Sequence, residues 1–294
     1  PGAWVFVAEH SPAKHYGLAI GTLTSGITGG IFLGSIFGVW LNSTYSQAEI
    51  HDWAWRIPFI LGGVFGLVSV YLRRFLHETP LFQDMQKRKA ADAELPLKTI
   101  LRDHKEASWL VALMTWVLST GVVVVVLMAP AYLQKVFHIA PAEAMMANAV
   151  ATVTLTIGCI FWGWLSDKIG TKLTMLFGWG GMTVTAYIFY LNLPGESTLV
   201  LRYALVGFFV GSISLLPVVG VRAFPVAVRF TGLSFAYNMA YAVFGGLTPL
   251  LVASWQQVDI MAPAHYVAAM GILGAAIGLF WPIASKGWQP KVKA

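Results

Sequence analysis

Charge is what this 294-residue chain has least of. Asp, Glu, Lys and Arg make up 11% of it, against 57% apolar residues and a mean hydropathy of +0.69. A soluble domain carries about 25% charged residues, so this little charge does not cover a water-facing surface. A chain this apolar is not disordered either. Cysteine is the next scarcity: the single Cys159 excludes an intrachain disulfide framework and any cysteine metal cluster. Walker loops, His-Glu-x-x-His and Gly-x-Ser-x-Gly are absent, so the residues support neither an ATP-driven pump nor a common hydrolase, and no cofactor or metal is expected. The chain opens at Pro1 with no signal-peptide pattern. The expectation is a sequence whose upstream part is missing.

What the chain has in quantity is Trp (12), Phe (18) and Gly (29), a composition suited to membrane helices. A spanning helix needs roughly 20 mostly apolar residues. Eight windows meet this: about 17–41, 54–76, 108–133, 144–165, 173–192, 199–221, 231–254 and 265–285. Residues 1–8 read as the tail of a further helix. Runs such as 121–133 do not alternate in polarity, which sets a β-barrel aside. The fold class expected is therefore all-α integral membrane.

Lys and Arg concentrate in cytoplasmic loops. If the loop after residue 8 is cytoplasmic, 16 of the 19 cations face inward, and only Arg56, Lys135 and Arg202 face outward. This split places the C-terminus in the cytoplasm. It also accounts for the net charge of +6 through the anionic leaflet rather than nucleic acid. Residues 77–106 hold most of the mixed charge and divide the chain. Residues 1–76 read as the end of one bundle, 77–106 as a central cytoplasmic loop, and 107–294 as a six-helix bundle.

Two junctions resemble each other. EHSPAKHYGLAI (9–20) is followed by Gly29–Gly30, and RAFPVAVRFTGLSF (222–235) by Gly245–Gly246. Each has Pro three residues after a charge and Gly-Leu opening the next helix. They stand six spans apart, as a parallel duplication would.

GWLSDKIGTKLTM (163–175) is similar to the G-x-L-[SA]-D-[RK]-x-G-[RK]-[RK] loop of the major facilitator superfamily. Residues 6–17, 53–63, 76–82 and 224–251 resemble its metabolite:proton symporter subfamily. The resemblance implies twelve helices in two six-helix halves, with this chain running from the end of the fourth helix through the twelfth. It implies a monomeric secondary transporter of the bacterial inner membrane. The cargo would be a small organic acid or zwitterion, moved by proton symport with alternating access. An uncoupled facilitator stays open, as do a channel or a membrane enzyme from other classes. Two positions depart from the pattern: Arg222 stands where the subfamily has Glu, and Thr171 occupies a basic position, with Lys172 after it.

By resemblance, Gly163, Asp167, Gly170 and Lys172 form a cytoplasmic gate together with Glu9, Arg222 and Arg229. The residues alone allow an ordinary solvated turn. They also allow Asp167 to sit at a helix N-terminus or to pair with a neighbouring cation. All thirteen acids and seven His fall at span ends or in loops. A coupling carboxylate, which a proton carrier holds inside the membrane, is thus expected upstream of this chain.

Uncharged polar residues share helix faces: Asn148, Thr152 and Thr156; Tyr237 and Tyr241 with Asn238; and Thr22, Ser25 and Thr28. Each group can line a cavity or bond between helices. Trp116, Ser119 and Tyr132 fall on a helix that lines the cavity in the family. Gly26, Gly30, Gly34 and Gly38 recur every fourth residue and read as a helix-packing ladder.

Overall fold

The computed structural model describes residues 1–75, 96–191, 193 and 198–285. Among these residues the chain is helical and has no strand. The helices are α1 (Gly2–His10), α2 (Tyr16–Thr44), α3 (Arg56–Arg73) and α4 (Pro96–Asp103), then α5 (Lys105–Phe137), α6 (Pro141–Ile169) and α7 (Thr171–Leu191), then α8 (Leu199–Ala223), α9 (Arg229–Gln256) and α10 (Ala262–Phe280).

Each of the eight apolar windows contains a helix among the described residues. Six helices are long and apolar enough to cross a membrane, and a seventh span is the pair Gln47–Ala54 and Arg56–Leu72, bent by 44°. Helix α7 has the length, 21 residues, but its Thr, Gly, Trp and Tyr residues hold it below the apolarity of those six. The last helix ends at Phe280 rather than at the expected residue 285. Pro282 disfavours helical backbone in the residue before it, and Trp281 is extended at φ −92° and ψ 111°. The central loop is described only at its downstream end, where α4 buries Ile100 against α5 and α9. Residues 77–95 of the expected loop, and residue 76 before it, lie outside the described residues.

Three helices change their hydrogen-bond pitch part-way and α3 follows a π turn, each beside a proline. Proline donates no amide hydrogen, and its ring collides with the carbonyl four residues earlier. Pro58, Pro130, Pro217 and Pro249 point this conflict at Ala54, Val126, Ile213 and Gly245. Those four residues lie in the π stretches Ile50–Ala54, Gly121–Met128 and Tyr241–Gly245 and in the 3₁₀ stretch Gly211–Ser214. The looser or tighter turn takes up the clash without ending the span. Pro249→Ala would supply an amide hydrogen for the Gly245 carbonyl. Slower amide exchange over residues 245–249 is the expected result in hydrogen–deuterium exchange, and unchanged exchange would assign the π turn another cause.

Buried side chains fill the space between α5, α6, α7, α8 and α10, where Trp179, Phe189 and Tyr203 are fully covered. Helix α3 is the opposite case, with Phe59 and Leu67 each 73% exposed. That apolar face suits lipid or another helix, not water.

Helix α2 crosses α6 with the two backbones in close contact. A Cβ on Gly163 would run into the Gly17 carbonyl and stand 2.9 Å from Gly21 Cα. A second crossing, α6 on α8, brings Gly158 and Gly211 together in the same way. The expected ladder is not where these backbones meet. Gly26, Gly30 and Gly34 have nothing within 4 Å of an added Cβ, and Gly38 meets only the Met145 side chain. The packing face of α2 is Gly17, Gly21, Thr24 and Thr28; at about 100° per residue, Gly26 lies about 200° round from Thr24, on the opposite side.

Candidate functional site: a charged latch and a polar seam

One end of the bundle gathers the charged residues of the two similar junctions. Asp167 ends the last turns of α6 and reaches across to α2. Its Oδ1 accepts the Gly17 amide at 2.7 Å and its Oδ2 accepts the Leu18 amide at 2.8 Å. First-turn amides have no partner within their own helix and carry the positive end of its dipole. A carboxylate held by two of them is therefore a charge-assisted cap supplied from another segment. The capped helix is α2, not α7, and among the described residues Asp167 forms no ion pair with Lys172, which is exposed.

Beside this cap lies a covered ion pair. Arg229 Nη1 donates to Glu9 Oε1 at 3.0 Å, with the two side chains 5% and 6% exposed. It ties the end of α1 to the start of α9, so the two resembling junctions touch. Arg222 lies over the first residue of α2. Its guanidinium carbon stands 4.2 Å above the Tyr16 ring centre. Gly170, at φ +82°, turns the chain between α6 and α7 in a conformation that suits glycine. Thr171, at the departing motif position, donates to the Ala284 carbonyl at 2.7 Å and so ties the start of α7 to the residues after α10.

Deeper between α2 and α6 runs a polar seam. Asn148 Nδ2 donates to Ser35 Oγ at 3.1 Å, and its Oδ1 accepts from the Tyr203 hydroxyl at 2.7 Å. Thr156 Oγ1 lies 3.2 Å from Thr28 Oγ1 and donates to the Thr152 carbonyl, while Thr152 donates to Ala149. These groups bond helix to helix or back to their own turn.

The other candidates fall into three separate places. Trp116 stacks on Phe244 at 4.2 Å with planes 4° apart. Its Nε1 donates to the Tyr266 hydroxyl at 2.8 Å, and that hydroxyl is 3.0 Å from Thr248 Oγ1. Ser119 is fully buried and donates to the Trp116 carbonyl. Tyr132 sits at the end opposite the latch and donates to the Ile260 carbonyl at 2.7 Å. Tyr237 and Tyr241 continue a row of rings from Trp4, with centroid spacings of 5.3 and 5.7 Å. Asn238 is exposed and donates to Ser234. The cavity of about 370 Å³ between α5 and α9 is lined by Trp109, Phe235, Met239 and Phe244 and by none of the nine candidates.

Sequence reasoning missed Tyr16, Ser35, Ser166 and Tyr203. Ser35 and Tyr203 read as ordinary apolar-helix residues, whereas Tyr16, inside the junction 9–20, and Ser166, inside the loop motif, lay in segments that carried a signal. The Ser166 Oγ donates to the Gly163 carbonyl at 2.7 Å, next to Gly17.

Loss of one oxygen from the cap has a defined consequence. Asp167→Asn keeps one acceptor for the two amides and drops the charge, costing the latched arrangement about 1–2 kcal/mol. The expected outcome is a turnover that falls about tenfold while substrate affinity holds. Parallel loss of affinity and turnover would count against a latch.

The Major Facilitator Superfamily model matches residues 1–249. The "Putative proline/betaine transporter" of Staphylococcus aureus (strain COL) is 30% identical over 298 residues, which cover 97% of this chain and 62% of that protein. The protein of the same name from Staphylococcus haemolyticus is 32% identical, covering 93% of this chain and 59% of its own length. The "Proline/betaine transporter" of Escherichia coli (strain K12) is 28% identical, covering 95% and 58%. The chain thus spans about three-fifths of the length of these relatives. A match over residues 1–249, carried by a multi-pass helical architecture, places this membrane protein in the Major Facilitator Superfamily.

Proposed function

We propose that the protein is a secondary active transporter of the bacterial inner membrane. It carries a small zwitterion or organic acid, of the kind named in its proline/betaine relatives, by alternating access and proton symport, and works as a monomer. The observation that carries this reading is the Asp167 cap on α2. Two hydrogen bonds and a charge–dipole contact are strong enough to hold one state and weak enough to break in a transport cycle. The cation split supports a cytoplasmic placement of this end, with the C-terminus on the same side. Residues 1–76 and 107–294 then belong to the two halves that rock about a midplane site. Gly163, Asp167, Gly170, Lys172, Glu9, Arg222 and Arg229 form the gate between them. Of the cavity candidates, Tyr237 and Tyr241 support substrate contact best, because their hydroxyls make no hydrogen bond among the described residues.

The test is uptake of labelled proline and betaine into proteoliposomes holding the protein that carries this sequence. An alkaline interior is expected to drive uptake about tenfold above the leak, and a protonophore to abolish it. Uptake that survives the protonophore at full rate would overturn proton coupling in favour of a facilitator. Absence of saturable uptake would overturn transport of these solutes.

A further inference from the structure

We infer that Tyr16 is the positioning residue of the latch: its side chain is fastened to α8 on two sides, and this aims the next two amides at Asp167. The inference rests on the transport reading above and adds to it the element that sets the latch.

Tyr16 is the first residue of α2 and has no exposed surface. The helix start has no side-chain cap of its own, since His15 makes no such bond. Whether the Gly17 and Leu18 amides both point at one carboxylate depends on how the first turn is rotated and set down. Two contacts fix that rotation. The Tyr16 hydroxyl donates to the Val218 carbonyl at 3.0 Å. The Arg222 guanidinium carbon stands 4.2 Å over the ring centre. Val218 and Arg222 are four residues apart and share one face of α8. They therefore grip the ring from one rigid element at its polar end and on its π face. The third side of the turn is closed by α6, where Gly17 lies against the Gly163 carbonyl and Ser166 with no room for a side chain. Three helices thus converge on one residue. A guanidinium over a covered tyrosine face is held by the ring quadrupole, so the ring and the cation act as a unit.

The experiment measures the latch directly. Spin labels at Lys14→Cys and Lys168→Cys, both exposed positions, report the distance between the α2 start and the α6 end. The native Cys159 is fully buried. With Tyr16 in place, one short distance is expected to dominate. Tyr16→Leu and Arg222→Gln should each raise the long-distance population about fivefold, and the double variant no further. Tyr16→Phe, which keeps the ring under Arg222 and loses only the bond to Val218, should raise it by less, about twofold. In uptake assays the same two variants should lower turnover and leave the concentration dependence of uptake within about twofold. Arg222→Gln that leaves the distances unchanged would overturn the inference, as would a double variant whose shift is the product of the two singles. If Tyr16→Leu does not fold, Arg222→Gln and Tyr16→Phe decide the matter alone. The distances need no substrate: if they behave as stated while no solute is transported, the transport reading fails and the role of Tyr16 stands.

Discussion

Glu9→Gln is expected to destabilise the protein by about 3 kcal/mol or more. The Glu9 carboxylate and the Arg229 guanidinium meet at 3.0 Å with 6% and 5% of their side chains exposed. Both charges have left water, and their attraction offsets that loss. Gln fills the same space and still accepts a hydrogen bond, but the buried guanidinium then loses the carboxylate it meets at 3.0 Å. Glu9→Gln combined with Arg229→Gln removes both charges and should recover more than half of the loss. The exposed pair Arg102–Asp103 provides the contrast. Its side chains are 56% and 43% exposed at 2.9 Å, so Asp103→Asn should cost no more than about 1 kcal/mol. Thermal unfolding of the detergent-solubilised variants reads all of these. Equal losses for Glu9→Gln and Asp103→Asn would mean that the covered pair contributes nothing beyond a surface bridge.

The second large effect concerns backbone contact. Gly163→Val places branched carbon where the Gly17 carbonyl and Gly21 Cα already stand. Backbone on both helices cannot swing aside as a flexible side chain can. Helix α2 must lift from α6, and the cost is about 3 kcal/mol or more. Lifting α2 also draws the Gly17 and Leu18 amides off Asp167, so on the proposed function transport should fall together with stability. Gly30→Ala is the control on the same helix. An added Cβ there meets nothing within 4 Å, and removing a helical glycine stabilises by up to about 1 kcal/mol. Midpoints of thermal unfolding should move in opposite directions for the two variants. A destabilising Gly30→Ala with a neutral Gly163→Val would restore the packing role to the Gly26–Gly38 ladder.

How much of this was legible in the sequence follows from what each feature depends on. Spans were legible because an apolar run of membrane length has few other stable uses. Their ends were less so: polar residues extend most helices past the apolar window, and Pro282 stops the last one early. The mid-helix π and 3₁₀ turns could have been read from Pro58, Pro130, Pro217 and Pro249, since the clash four residues upstream is a local rule. The charged cluster was legible as a residue set, because Asp167, Glu9 and Arg229 lie in motifs of fixed spacing. Its pairing was not, since an aspartate near two helix starts has no sequence signal for which one it caps. The glycine face shows the limit of periodicity. Gly17 and Gly21 have the same four-residue spacing as Gly26 and Gly30, and only the phase differs. Phase relative to a neighbour is a tertiary property. Tyr16 was hidden for the same reason: an aromatic opening an apolar helix reads as core until Arg222, 206 positions later in the chain, is set on its ring.

The account stands or falls on whether the charged end opens during transport and faces the cytoplasm. Ser166→Cys measures both at once. Ser166 is 5% exposed inside the crossing of α2 and α6, and Cys159, the one cysteine of these 294 residues, is fully buried, so labelling by a membrane-impermeant maleimide above that of the parent protein reports position 166. In inside-out vesicles the cysteine should label slowly at rest and about fivefold faster when proline or betaine and a proton gradient are supplied. In right-side-out vesicles it should stay unlabelled throughout. A rate that ignores substrate, or labelling from the outer face, would contradict the central claim.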